Sequence, residues 1–120
     1  MHETSLIQFT LDAVARKARI NGIKHVSDIL LIVGELKGAL PDQMEYAFRI
    51  LTAHGGEDGM FAETKLDIEY RPALLKCRDC GHSFPVTVET LASAVCPHCG
   101  SSAYQIISGN ELLIDSFRGE

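Results

Sequence analysis

The residues of this chain best suited to chemistry are its four cysteines, which form two pairs. Cys77 and Cys80 form the first CxxCG motif, and Cys96 and Cys99 form the second after a gap of fifteen residues. The resulting C-x2-C-x15-C-x2-C spacing is typical of a zinc ribbon. Two residues between the thiolates let one turn aim both sulfurs at one point, and the following glycine permits the positive φ of a tight knuckle. Four sulfurs complete a tetrahedral shell, which predicts a closed structural site and not a catalytic one.

A bound metal also explains how the cysteine-bearing segment folds. A module of about 35 residues buries too little surface to fold alone, whereas structural zinc contributes roughly 10–16 kcal/mol in peptides. Four reduced structural cysteines would have no reason to fall into paired knuckles, and a thioredoxin-like redox centre needs a single CxxC beside a βαβ unit. Iron in a rubredoxin-like site stays open, because CPxCG knuckles suit iron as well. Zinc is preferred, since the module has only Phe84 and Tyr104 as aromatic packing residues.

A second set of metal ligands is available at the amino terminus. The α-amine of Met1, the backbone nitrogen of His2 and the His2 imidazole Nδ1 can bind one metal ion through fused small rings. This nitrogen-rich planar arrangement suits Ni(II) or Cu(II) and not tetrahedral Zn(II). Glu3 is placed to add an oxygen ligand or to keep the site negatively charged. A polar amino terminus that is simply exposed to water is the alternative, and it stays open.

Two helices are predicted outside the cysteine region. A 3.6-residue apolar period over residues 5–20 predicts an amphipathic helix, with a Ser5–Gln8 capping box and a stop at Asn21-Gly22. Pro41 suits the first turn of a second helix. The apolar face of that helix comprises Met44, Ala47, Phe48 and Leu51.

Three strands accompany these helices. The β-branched and aliphatic run over residues 26–33 predicts a strand buried on both faces in its second half. A half-buried strand over residues 66–71 ends at Pro72, and residues 54–64 form a loop. The last strand alternates Leu112, Ile114 and Ser116 against Leu113, Asp115 and Phe117.

The cysteine region is predicted to be an insertion, because the strand-like segments on its two sides look like members of one sheet. The fold class is therefore α+β, with a small domain of two helices and a three-stranded sheet that carries an inserted zinc-ribbon domain. The predicted bounds are residues 1–72 and 108–120 for the discontinuous helix–sheet domain and residues 73–107 for the ribbon.

Charge and hydropathy exclude several classes of protein. Eleven Lys and Arg against sixteen Asp and Glu give a net charge of −5, which argues against general binding to nucleic acids or anionic membranes. The four charges between Lys76 and Tyr104 sum to zero, so the ribbon has no basic stripe for nucleic acid. No membrane span or secretion signal is recognisable, which predicts a soluble, cytoplasmic protein. The glycine-rich residues 55–59 lack the Lys-Ser/Thr of a phosphate loop, and no nucleophile–base pair is apparent, so no enzyme is predicted.

Several features of independent kinds follow one another along the chain: the initial MHE, the GELKG turn followed by Pro41 and the Met44–Phe48 helix, the two CxxCG knuckles and the ISGNELLI ending. Together, and over essentially the whole chain, they resemble the HypA/HybF family of nickel metallochaperones for [NiFe]-hydrogenase maturation. The resemblance implies an α/β nickel-binding domain with an inserted zinc ribbon. It implies that His2 is the essential nickel ligand with Glu3 in support, and that the four cysteines bind structural Zn(II). It also implies partnership with the GTPase HypB and delivery of Ni(II) to the hydrogenase large-subunit precursor, with urease maturation served in some members.

The histidines of the ribbon depart from the family pattern. Some members carry a histidine near each knuckle that is implicated in changing zinc coordination. His82 matches the first, but Gly100 follows the second knuckle, and His98 lies within it. An exchange of either imidazole onto zinc or nickel is left open, as is the choice between monomer and homodimer. His25 and His54 lie beside loops and are expected to be solvated.

Overall fold

The computed structural model describes residues 2–120, which form two helices and six strands. The helices are α1 (His2–Ile20) and α2 (Pro41–Leu51). The strands are β1 (Val26–Gly34), β2 (Lys65–Arg71), β3 (Ala73–Cys77), β4 (Ser83–Val86), β5 (Tyr104–Ser108) and β6 (Leu112–Gly119). Short 3-10 turns occupy Glu35–Lys37, Glu57–Gly59 and Leu91–Ser93. The predicted α+β class is confirmed.

Helix α1 begins three residues earlier than its periodicity predicts. His2 is its first described residue, so Ser5 lies inside the helix and the predicted Ser5–Gln8 capping box is wrong. Gln8 instead donates its side-chain amide to the Asp12 carboxylate at 2.8 Å. The early start is favoured by Glu3, whose carboxylate lies in the first turn, where the helix dipole stabilises negative charge.

The end and the apolar face of α1 agree with the prediction. Gly22 adopts φ +71°, and its N–H donates to the carbonyl oxygen of Arg19 at 3.1 Å. The side chains that the 3.6-residue period places on one face are buried: Ile7, Leu11, Val14 and Ala18. This face supplies much of the core of the helical part, where α1 packs against α2.

Helix α2 begins where the sequence predicts. Pro41 is its first residue, a position at which a backbone N–H has no intrahelical partner in any case. Leu40 is the N-cap, and its side chain makes no capping hydrogen bond. Met44 and Ala47 are buried, as the predicted apolar face requires.

The first sheet has three strands in the order β2-β1-β6, which confirms that the segments flanking the cysteines share a sheet. The second half of β1 is buried on both faces, as predicted. In β6 the predicted alternation fails after Asp115, because Ser116 is exposed and Phe117 is half-buried. Burying the phenyl ring of Phe117 gains more free energy than burying the hydroxymethyl group of Ser116, so the phenylalanine takes the less exposed position.

The second sheet is antiparallel, in the order β4-β3-β5, and carries the cysteine region. Leu75 pairs with Phe84 on one side and with Ile106 on the other. Its core consists of Ala73, Leu75, Cys77, Phe84, Val86 and Cys96. Two of the six core residues are therefore cysteines, so the folding of this sheet and the chemistry of its sulfurs depend on each other.

The chain divides into two compact units. One contains residues 1–31, 39–69 and 113–120, and the other contains residues 32–38 and 70–112. The second unit includes the turn that follows β1, since Leu36 packs against the core of the second sheet. No helix within residues 2–120 is long and apolar enough to cross a membrane.

Three chain segments of the second unit meet at Gly34. An added Cβ at this glycine would lie 2.1 Å from the carbonyl carbon and oxygen of Gly109, and one at Gly109 would lie 2.4 Å from Ala73 Cα. The N–H of Leu36 donates to Gly109 O at 2.7 Å, and Glu35 Oε2 accepts from the N–H of Ala73 at 3.3 Å. The two ends of the cysteine region are thereby held on the turn after β1.

Candidate metal centres

The four cysteine sulfurs form one cluster. All four lie within 4.8 Å of one another, with Cys77 Sγ 3.5 Å from Cys99 Sγ and Cys80 Sγ 3.6 Å from Cys96 Sγ. The sulfurs of a tetrahedral zinc site with ~2.3 Å bonds are about 3.8 Å apart. The cluster thus has nearly the size that a single tetrahedral ion requires.

The two knuckles have the same backbone geometry, which explains why both CxxC pairs point at one place. Gly81 and Gly100 adopt φ +79° and +78°, the left-handed conformation that glycine enters without steric cost. Their N–H groups donate to the carbonyl oxygens of Cys77 and Cys96 at 3.0 and 2.8 Å. Each knuckle is thus one tight turn closed by the glycine that follows its second cysteine.

The pKa values of the cysteine thiols indicate that a bound cation would stabilise the cluster. The N–H groups of Cys80 and Asp79 donate toward Cys77 Sγ, and they lower the pKa of that thiol to about 7. At Cys99 an N–H from Ser101 lowers the pKa, but contact with the Cys77 sulfur and burial outweigh it and raise the pKa to about 12. Sulfurs this close cannot all ionise together in the absence of positive charge. A soft dication removes this conflict and suits an all-thiolate donor set.

The surroundings of the sulfurs are asymmetric. Cys77 and Cys96 are 2% exposed and belong to the core of the second sheet, whereas Cys80 and Cys99 face solvent. The hydroxyl of Ser101 donates to the Asp79 carboxylate and joins one knuckle to the other. Sequence reasoning missed this contact, although Asp79 is a polar residue within the first CxxC motif and Ser101 lies two positions after the second.

Two histidines lie beside the cluster without joining it. The rings of His82 and His98 stack with a centroid distance of 5.2 Å and an angle of 28° between their planes. His82 also stacks with Phe84 at 6.5 Å. Within residues 2–120, the ligand atoms that come together at this place are the four sulfurs, and neither imidazole is among them.

The predicted amino-terminal ligands occupy the first turn of α1. His2 is exposed, and Met1 lies outside the described residues. Glu3 is only 8% exposed, and its Oε2 accepts a hydrogen bond from the N–H of Leu40 at 3.2 Å. This backbone bond is the largest cause of a lowered pKa of the Glu3 carboxyl. The sequence could not predict the contact with Leu40, because its donor is a backbone N–H, which nearly every residue type has.

A separate cavity of about 830 Å³ lies in the helix-bearing unit, away from any cysteine. Asp28 and Arg118 line it and form a two-point ion pair, with Nε–Oδ1 at 3.0 Å and Nη2–Oδ2 at 2.8 Å. The Arg118 hydrogen bonds lower the pKa of Asp28. His25, predicted to be solvated, is exposed at the edge of this cavity, and His54 is exposed in its loop, as predicted.

Comparison with known proteins finds matches over the whole chain. Residues 1–119 match the family described as "Hydrogenase/urease nickel incorporation, metallochaperone, hypA". The chain is 36% identical to the hydrogenase maturation factor HypA of Moorella thermoacetica, with 100% of both chains covered. It is 37% identical to the HypA of Pelodictyon phaeoclathratiforme over 97% of this chain and 93% of that one. The solution structure of the Ni metallochaperone HypA from Helicobacter pylori has the same fold, with a TM-score of 0.69 at 24% identity, covering 99% of this chain and 97% of that one.

Proposed function

Because this chain belongs to the HypA family of nickel-incorporating metallochaperones, we propose that it binds Ni(II) at its amino terminus and delivers it during [NiFe]-hydrogenase maturation. The ligands are the Met1 amine, the His2 backbone nitrogen and His2 Nδ1, with Glu3 in support. The observation that carries this proposal is the position of His2, exposed in the first turn of α1 within a chain of this family.

The first turn of a helix is a suitable place for a backbone nitrogen ligand. The first four N–H groups of a helix have no intrahelical acceptor. The His2 nitrogen can therefore release its proton to solvent and bind nickel in its place without breaking a helical hydrogen bond. The same nitrogen in the middle of α1 would have to give up its bond to the preceding turn.

Charge at this end of α1 has to be balanced. The positive end of a helix dipole disfavours a cation. The Glu3 carboxylate in the first turn offsets this effect. Loss of a proton from the α-ammonium group removes a positive charge, and loss of the amide proton adds a negative one. With a reference α-amine pKa of ~7.7–8, the affinity for nickel is expected to rise as the pH increases through that range.

The four-cysteine cluster is proposed to hold structural Zn(II) through Cys77, Cys80, Cys96 and Cys99. Its size, its all-sulfur donor set and its two buried members support this assignment. When bound, zinc supplies the positive charge that lets all four thiols ionise. No open coordination position is left for a substrate, so the centre stabilises the fold and takes no part in a reaction.

The proposed partners follow from the family. A carrier without chemistry of its own depends on other proteins for energy and for a destination. We therefore assign the GTPase HypB and the hydrogenase large-subunit precursor as partners, with urease maturation as a second destination, and place the protein in the cytoplasm as a non-enzyme. The ribbon domain is proposed to span residues 73–107, with residues 1–72 and 108–120 forming the nickel-binding domain.

A nickel titration of untagged protein tests the amino-terminal site. We expect His2→Ala to weaken nickel binding at least about tenfold, the equivalent of one lost ligand contact. His54→Ala, which removes another exposed imidazole, should bind as the wild type does. Equal affinity in the wild type and His2→Ala would overturn the assignment.

The same preparations discriminate two other functions. A rubredoxin-like iron carrier would purify red, with thiolate-to-iron absorption in the visible range, whereas zinc leaves the protein colourless. A zinc-ribbon adaptor without a nickel role would show no nickel-dependent difference between the wild type and His2→Ala. Elemental analysis of freshly purified protein decides the first of these questions.

A further inference from the structure

The Glu3 side chain is unusual in being both charged and buried. Glu3 is 8% exposed, whereas its neighbours His2 and Thr4 are exposed. Within residues 2–120, the other buried polar side chain is that of Thr10, which carries no charge. Burying a carboxylate is costly unless its oxygens are satisfied. The hydrogen bond that Glu3 Oε2 accepts from the N–H of Leu40, at 3.2 Å, offsets part of this cost.

The Leu40 N–H belongs to the start of α2. Leu40 is the N-cap of that helix, and a leucine side chain offers no oxygen to the first turn. In a capping box, a glutamate three residues further along the same helix accepts a bond from the N-cap N–H. Glu3 makes the corresponding bond from a different helix. Its negative charge also lies near the positive end of α2, where the dipole stabilises it.

From this geometry we propose that Glu3 is a positioning residue for nickel and that its carboxylate stays on Leu40 when nickel binds. The bond fixes the first turn of α1 on the start of α2, and so holds the backbone nitrogen and the ring of His2 in place. A carboxylate that moved to the metal would leave the Leu40 N–H without this acceptor. The inference deepens the proposed function, since it assumes nickel binding at the amino terminus.

Two substitutions separate positioning from coordination. Glu3→Gln and Glu3→Ala both remove the negative charge, but only glutamine keeps a side-chain oxygen for the Leu40 N–H. The ratio of their nickel affinities therefore measures what the longer side chain and its oxygen contribute, and the Leu40 amide shows whether that contribution comes from the Leu40 bond. We expect Glu3→Gln to bind nickel about tenfold more tightly than Glu3→Ala, the effect of one hydrogen bond to the chain. Equal affinities would overturn the proposal. Glu45→Gln, the same change at an exposed position of α2, should bind nickel as the wild type does.

Amide hydrogen exchange at Leu40 provides the second readout. In nickel-free protein we expect fast exchange in Glu3→Ala and slow exchange in both the wild type and Glu3→Gln. Adding nickel to the wild type should leave the exchange slow. A clear acceleration of the wild-type exchange on adding nickel would show that the carboxylate has moved and would overturn the proposal, and this comparison does not depend on how well Glu3→Ala folds. A failure of the amino-terminal nickel site is recognised separately, because His2→Ala would then keep full nickel affinity whatever the exchange at Leu40.

Discussion

Replacing Gly34 by alanine tests the meeting of three chain segments after β1. Gly34 has φ −76° and ψ 146°, a conformation that alanine adopts readily. Without other contacts, the substitution would stabilise the protein by about 0.4–1 kcal/mol, because alanine restricts the unfolded chain. The added Cβ would however lie 2.1 Å from the carbonyl carbon and oxygen of Gly109 and 2.6 Å from the nitrogen of Asn110.

The size of the effect follows from these distances. Carbon atoms that do not share a bond approach to about 3.5–4.0 Å, so one segment has to move by roughly 1.5 Å. The crowding atoms belong to the backbone and cannot rotate away. Overpacking costs roughly 1–3 kcal/mol, and the upper end applies at such a contact. After the gain from the unfolded chain is subtracted, we expect Gly34→Ala to lower the free energy of unfolding by about 2 kcal/mol.

Gly38→Ala is the matched control, since Gly38 closes the same turn. It has φ +68°, and nothing lies within 4 Å of its added Cβ. Left-handed backbone costs about 1–2 kcal/mol for alanine, and the gain from the unfolded chain reduces the net loss to about 1 kcal/mol. Both variants are to be compared with the wild type by guanidinium unfolding at one fixed concentration of free zinc. A Gly34→Ala protein as stable as the wild type, or more stable than Gly38→Ala, would refute the reasoning.

Three further perturbations test the sulfur cluster and the ion pair. Cys96→Ser removes a buried sulfur, and elemental analysis is expected to show zinc falling from about one ion per chain to near zero; full occupancy would contradict a four-sulfur site. Asp79→Ala removes the acceptor that joins the two knuckles, so zinc should pass to a chromogenic chelator faster than from wild type or Glu89→Ala. Arg118→Met removes the donors that lower the pKa of Asp28, and an NMR titration should show that pKa rising toward its ordinary value. A carboxyl whose pKa is lowered in the folded state stabilises the fold above its unfolded pKa, and this stability is lost as the pH falls through the folded pKa. The variant should therefore lose less stability on acidification than the wild type does. The same loss of stability in both proteins would count against a stabilising Asp28–Arg118 ion pair.

Hydrophobic period and cysteine spacing predicted the two helices, the three strands of the first sheet and the place of the cysteine module, but not the individual strands β3, β4 and β5. The β-branched run from Val26 became a central strand, and Pro41 began the second helix. The spacing of the CxxCG motifs predicted that four sulfurs would meet, and they do. These features depend on the types and spacing of residues along the chain, which can be read from one sequence.

The features that the sequence did not reveal depend on backbone groups or on distant contacts. Helix α1 begins at His2 and not at Ser5, and the carboxylate of Glu3 in its first turn accepts a hydrogen bond from the N–H of Leu40, at the start of the other helix. That donor is a backbone N–H, which any residue at position 40 other than proline would present. The close approach of Gly34 to Gly109 likewise involves backbone atoms more than seventy positions apart.

The meeting of Gly34, Ala73 and Gly109 also has a consequence for the order in which this unit folds. Before the sulfurs are joined, bringing Ala73 near Gly109 closes a loop of about 36 residues. Once a metal ties Cys77 to Cys99, the loop from Ala73 to Gly109 contains only about 14 residues of free chain: four from Ala73 to Cys77 and ten from Cys99 to Gly109. The free-energy cost of closing the loop then falls by roughly 0.8 kcal/mol, which makes the approach of Ala73 to Gly109 about fourfold more probable. The supply of zinc to a newly made chain thus affects how soon the turn after β1 finds its place.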